Sequence, residues 1–107
     1  MNAAISAGAD WKSANTAVVN EDGVSKVFLH NNKIAEVGDT FIRLFDGGWQ
    51  TVTTKSRLNA IIQVHGLVGE GIFQKKGEWF VRTVEGVTPE NPKGFRNIKF
   101  WNSMRLG

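Results

Sequence analysis

Only one stretch of this chain carries the periodicity of a helix. Leu58, Ile61, Ile62 and His65 fall at i, i+3, i+4 and i+7, which sets a narrow stripe along one face of a helix over residues 54–65. Asn59, Gln63, Lys55 and Arg57 fall away from the centre of that stripe. Upstream, Thr53 or Thr54 suits the N-cap, because a hydroxyl there accepts from a backbone N–H that has no partner within the helix. Downstream, Gly66 suits the C′ position of a helix that ends in a left-handed turn. One helix cannot enclose a core alone, so the rest of the chain must supply a sheet for it to cover.

The remaining residues read as strands and turns. Thr16 to Asn20 is a first strand, and Asn20-Glu21-Asp22-Gly23 turns it. Val24 to His30 alternates with apolar residues on both faces, and Lys33 to Val37 returns as its partner across Asn31-Asn32. Asparagine tolerates the left-handed conformation that a type I′ hairpin turn requires. Thr40 to Phe45 follows as a strand with Phe41, Arg43 and Phe45 on one side, closed by Asp46-Gly47-Gly48. After the helix, Ile72-Phe73-Gln74 and Glu78 to Val84 pair through a three-residue loop, Lys75-Lys76-Gly77. Thr88 to Gly94 holds both prolines and is a loop. The tail, Phe95 to Leu106, is one more strand or an irregular clasp. No strand–helix–strand alternation recurs, so a doubly wound parallel sheet is not expected. The expectation is an α+β fold in which a twisted antiparallel sheet, or partly closed barrel, of about six strands packs on one helix.

A chain of 107 residues fits one domain. Residues 1–12, small and polar apart from Trp11, read as a loose N-terminal arm. With 41% apolar and 21% charged residues the chain is globular rather than disordered. The absence of cysteine excludes disulfides, thiolate nucleophiles and cysteine-bound zinc. No segment approaches the ~20 apolar residues of a membrane helix, and the N-terminus lacks a basic signal-like region, so a cytoplasmic location is expected.

The chemistry is sparse. His30 and His65 are the only histidines, without metal-ligand spacing, and both read as structural residues. No serine stands in a nucleophile-elbow context and the glycines spell no nucleotide-binding loop. The sequence therefore nominates no catalytic residue, metal or cofactor, and the expectation is a non-enzymatic protein.

Charge is informative by its placement. Residues 1–50 carry four basic and six acidic side chains, whereas residues 51–107 carry nine basic and four acidic. Two groups stand out within the basic half. Thr53, Thr54, Lys55, Ser56 and Arg57 place hydroxyls, backbone N–H groups and two cations at a helix start that already carries positive partial charge. They read either as a plain cap with its cations extended into water, or as a site for a phosphate or a partner's carboxylate. In the second group, Lys75 and Lys76 at a hairpin and Arg96, Lys99 and Trp101 in the tail interleave cations with rings. Single-strand binding surfaces do the same, and so does a hydrophobic clasp that docks the C-terminus on the core.

Three segments, HNNKIAEV, GGWQTVTTKSRLN and IFQKKGEWFV, together resemble a group of small, mostly uncharacterised tailed-bacteriophage proteins. In that group a GW-x-T-x-TT-(K/R)-x-RLN segment precedes a strand pair with an aromatic WF. The resemblance spans residues 28–84, with a looser echo in the tail, and leaves the N-terminal arm outside. It implies a phage accessory protein that binds a host or phage macromolecule, and carries over no site residue. A small nucleic-acid-binding domain, a virion component and a small hydrolase follow in that order as alternatives. The partner is thus an unidentified protein or nucleic acid. Association of copies through exposed strand edges is a further expectation.

Overall fold

A computed structural model describes residues 1–107. The elements run α1 (Asn2–Ala7), β1 (Trp11–Ser13), β2 (Thr16–Glu21), β3 (Val24–Leu29), β4 (Asn32–Val37), β5 (Ile42–Leu44), α2 (Val52–His65), β6 (Gly71–Lys75), β7 (Glu78–Val84), β8 (Phe95–Lys99) and β9 (Met104–Leu106). The expected α+β class is observed, with nine strands in two open antiparallel sheets rather than about six in one. The larger sheet has the order β1-β2-β3-β4-β5-β9, and the smaller is β6-β7-β8.

The first five strands form a meander because the links are short, and the first three turn through residues at positive φ. Asp22-Gly23 joins β2 to β3 at φ 51 and 79. The next hairpin also has a two-residue loop, but it is His30-Asn31, at φ 50 and 65, rather than Asn31-Asn32. Histidine and asparagine are among the side chains that enter this region most readily. The offset is absorbed three residues on. Val27 faces Ala35 while Phe28 faces Lys33, so Ile34 is an extra, bulged residue. The bulge lets Ile34 and Ala35 both be buried and returns Val37 to the inner face. Likewise the β6–β7 loop is Lys76-Gly77, two residues long, and Lys75 already belongs to the strand, opposite Glu78.

Residues 1–12 differ from the loose arm expected of them. Asn2–Ala7 is helical, Ala4 and Ile5 join the core, and Trp11 starts an edge strand beside Val18 while remaining exposed. The segment is held by its aliphatic side chains and by Asn2, whose Nδ2 donates to the Ala60 carbonyl at 3.1 Å.

Helix α2 starts one turn-fraction earlier than the threonine pair suggested. Thr51 is the N-cap, its hydroxyl accepting from the Thr54 N–H at 3.1 Å, and Thr54 is itself buried with its hydroxyl 2.9 Å from that of Thr51. At the other end Gly66 is extended, φ −91 and ψ −170, not left-handed. The glycine answers to space instead. A Cβ there would lie 2.7 Å from the Ile62 carbonyl oxygen and 3.0 Å from Ile62 Cγ2.

The stripe does what its spacing implies. Leu58, Ile61 and Ile62 are completely buried, within a core of 19 apolar residues drawn from both helices and both sheets. Helix α2 lies against β4, β5 and the edge strand β6. An edge strand exposes unpaired N–H and C=O groups. Here a side chain takes the place of a neighbouring strand: Asn59 Oδ1 accepts from the Ile72 N–H at 2.7 Å, and Asn59 Nδ2 donates to the Ile72 carbonyl at 2.9 Å. The tail closes the other side. Phe100 packs edge-on against Trp79, with centroids 5.3 Å apart, and the chain then passes from β8 in the small sheet to β9 in the large one.

Replacing Asn59 with Ala leaves both backbone groups of Ile72 without their partner. The expected cost is ~1–3 kcal/mol in urea unfolding, with faster exchange of the Ile72 amide. Gln63→Ala, one turn along the helix and exposed, is expected to stay within about 0.5 kcal/mol of the parent.

Candidate nucleic-acid interface

The residues at the start of α2 separate in space. Thr51, Thr53 and Thr54 line one cleft of about 350 Å³ with Trp49, His30 and Asp46. Lys55 is directed to β6, where its Nζ lies 3.5 Å from Gln74 Oε1. Arg57 turns back to β2, its Nε donating to Thr16 Oγ1 at 3.3 Å, and lines a different cleft with Ser56 and Trp11. The hydroxyls and the cations therefore do not converge on one point, and the cleft at the helix start already contains the Asp46 carboxylate.

The second group is brought together by the pleat of the small sheet. Side chains on directly opposed residues of antiparallel strands share a face. Ile72, Val81 and Ile98 point toward the core, with Trp79. The opposite face carries Phe73 and Lys75 from β6, Glu78, Phe80, Arg82 and Val84 from β7, and Phe95, Asn97 and Lys99 from β8. Phe73 and Phe80 are opposed in register and stack with centroids 5.7 Å apart and planes inclined by 19°. The Arg82 guanidinium lies 5.8 Å from the centre of the Phe95 ring. All three rings are half-buried, although their face is turned away from the core.

Three cations, Lys75, Arg82 and Lys99, surround these rings against a single carboxylate, Glu78, which lies 3.6 Å from Lys99. Of the other residues in this group, Lys76 stands at the hairpin tip beside Lys75. Arg96 falls on the inner parity of β8 but is exposed, 4.0 Å from Glu85. Trp101 sits between β8 and β9 with 55% of its surface exposed, next to the buried Phe100. Of the two rings in the tail, Phe100 is the clasp and Trp101 is left outside.

Phe73, Phe80 and Arg82 were not among the candidates read from sequence. Their signal was present as strand alternation: Phe73 sits opposite Phe80 once the hairpin is set at Lys76-Gly77, and Arg82 follows two residues on. The three-residue loop shifted that register and concealed the pairing.

The two histidines occupy other places. His30 Nε2 is 3.5 Å from Asn15 Nδ2 at the hairpin. His65 stands in the wall between two clefts, one of about 560 Å³ with Asn20, Asp22, Ser25 and Asp39, and one of about 230 Å³ with Asp39 and Glu70. Its Nε2 is buried without a hydrogen-bond partner, and no carboxylate oxygen comes within 4.0 Å of its ring nitrogens. Burial holds its pKa below that of a free imidazole.

These features define a class: an open-sheeted α+β protein with a ring-and-cation face on a small antiparallel sheet. The chain belongs to the Kyanoviridae Gp96 protein family, a bacteriophage family whose model matches residues 1–107. The match takes in the N-terminal segment that the resemblance over residues 28–84 had left outside. No curated protein and no solved structure matches the chain. No helix is long and apolar enough to cross a membrane.

The depressed pKa of His65 has a signed consequence. Between the folded and unfolded pKa values the unfolded chain binds the extra proton, so stability falls as pH drops through about 6.5 toward the lower folded value. Thermal unfolding across pH 7.5 to 5 (roughly the imidazole range) is expected to show this loss in the parent chain. His65→Gln is expected to flatten the curve over that interval.

Proposed function

We propose that this protein is a non-enzymatic phage accessory protein of the host cytoplasm that binds single-stranded nucleic acid on the outer face of β6-β7-β8. The observation that carries the reading is the stacked pair Phe73–Phe80 on a sheet face bordered by Lys75, Arg82 and Lys99. Aromatic side chains offer π-faces to bases of any sequence, and cations beside them neutralise the phosphates between those bases. Asn97, on the same face, can donate to or accept from a base edge. An open three-stranded face suits an unpaired strand better than a duplex, whose bases are reached only through its grooves.

A second reading keeps the same class of protein but gives it a protein partner. Val64, Leu67 and Val68 are 56, 58 and 96% exposed at the end of α2, a small apolar patch on the surface. Pull-down from host lysate with and without nuclease separates the two readings.

The direct test is fluorescence anisotropy with labelled single-stranded DNA and RNA at two salt concentrations. Binding is expected to weaken with salt. Phe73→Leu/Phe80→Leu, which keeps apolar bulk but removes the stack, is expected to weaken it by ~10-fold or more, since each base–ring stack is worth ~1–3 kcal/mol. Arg82→Gln/Lys99→Gln is expected to lower the salt slope by roughly one to two. Absence of binding at low salt, or affinity indifferent to both double variants, would falsify the proposal.

A further inference from the structure

The outward face of the large sheet carries a second arrangement of cations and rings, and one pair within it is electrostatically opposed. Ile42 and Leu44 of β5 point inward with Met104 and Leu106 of β9, so Arg43 and Arg105 point outward. The two arginines are direct cross-strand partners. Opposed side chains start only ~5 Å apart, and like charges there repel. One neighbouring carboxylate stands against them, and it is shared with a third cation. Glu36, across from Arg43 on β4, is engaged by Lys33 at 3.0 Å and comes no nearer than 3.9 Å to Arg43. Arg105 has no carboxylate within 4.0 Å.

Both guanidinium groups lie over one ring, Phe41, with their central carbons 5.9 Å (Arg43) and 5.0 Å (Arg105) from its centre. The shared ring attracts each cation and limits where it can go. Both cations thus neighbour the same ring in spite of their repulsion. Strand β9 has only three residues, of which Met104 and Leu106 are committed to the core. Arg105 is therefore the one outward position β9 possesses, and a neutral side chain there would remove the conflict.

We propose that Arg43 and Arg105, seated on Phe41, form a phosphate-binding site on the outer face of β5 and β9. Two guanidinium forks offer N–H donors from two sides, which the several oxygens of a tetrahedral phosphate can satisfy together and the two oxygens of a carboxylate can only share. Phosphate also supplies negative charge beyond the single carboxylate, Glu36, which Arg43 shares with Lys33. The group can be free phosphate or the phosphodiester of a nucleic-acid strand. The site lies on a different sheet from the Phe73–Phe80 face, and does not depend on that face being occupied.

The experiment follows the arginine side-chain Nε–Hε resonances of the ¹⁵N-labelled full chain. Inorganic phosphate is titrated against chloride at constant ionic strength. The expected result is a saturating shift of both Arg43 and Arg105 with a common midpoint, and loss of the Arg43 shift in Arg105→Gln. That variant is expected to melt no lower than the parent without phosphate, and to gain no stability when phosphate is added. Arg105→Lys keeps the charge but not the fork, and is expected to lose affinity at least about tenfold. It serves as the decisive variant if Arg105→Gln fails to fold. A second titration with oligothymidylate lacking terminal phosphates is run in the Phe73→Leu/Phe80→Leu background. Shifts of the same two resonances there assign the phosphodiester as a ligand; shifts with inorganic phosphate alone assign the free anion. Shifts that follow phosphate linearly without saturation, or an Arg43 shift unaltered in Arg105→Gln and Arg105→Lys, overturn the site.

Discussion

The amide of Asn59 ties the edge of the small sheet to α2, alongside the core packing of Ile72, Trp79 and Val81. Helix α2 buries Leu58, Ile61 and Ile62 against the core, while Asn59, beside that stripe, completes the hydrogen bonds of Ile72 on the edge strand β6. One helix thereby serves two sheets. It covers the inner face of the larger and closes one edge of the smaller, so the outer faces of both are left without a covering layer. In a two-layer protein such faces are normally polar. Here they carry phenylalanines among cations.

That composition follows two different physical rules. On the small sheet the rings stack on each other, and the cations stand at their margins. On the large sheet the rings lie beneath the cations: Lys33 Nζ is 4.6 Å from the centre of Phe45, and Arg43 and Arg105 share Phe41. The first arrangement leaves π-faces at the surface for a planar group to stack on. The second places cations over the rings. Base recognition and phosphate recognition ask for these two arrangements respectively. The basic excess of residues 51–107 enters both, through Lys75, Arg82 and Lys99 on one face and Arg105 on the other.

The elements that could be read from sequence were those with a local cause. The stripe of Leu58, Ile61 and Ile62 needs only helical spacing, and the β3–β4 and β6–β7 hairpins need only turn residues that accept positive φ. Registers were less legible, because His30 and Lys76 accept positive φ as well as the residues beside them, and a one-residue shift changes which side chains meet. That shift hid the pairing of Phe73 with Phe80. Long-range pairings had no local signal at all. Nothing near Arg105 announces that β9 returns to lie beside β5, and nothing near Arg57 announces that it reaches Thr16, 41 residues earlier. The threonine run drew notice for its charge, yet the same residues turned out to be shared among capping, core packing and ties to β2 and β6.

The claim that most needs direct observation is that the outer face of β6-β7-β8 receives bases. Ring-proton chemical shifts of the phenylalanines, followed as unlabelled oligothymidylate is added, report stacking without any substitution. The account predicts upfield movement of the Phe73 and Phe80 ring protons, with Phe95 next, and smaller changes elsewhere. Movement confined to residues at the start of α2 or to Val64, Leu67 and Val68, with the Phe73 and Phe80 rings unmoved, would contradict it.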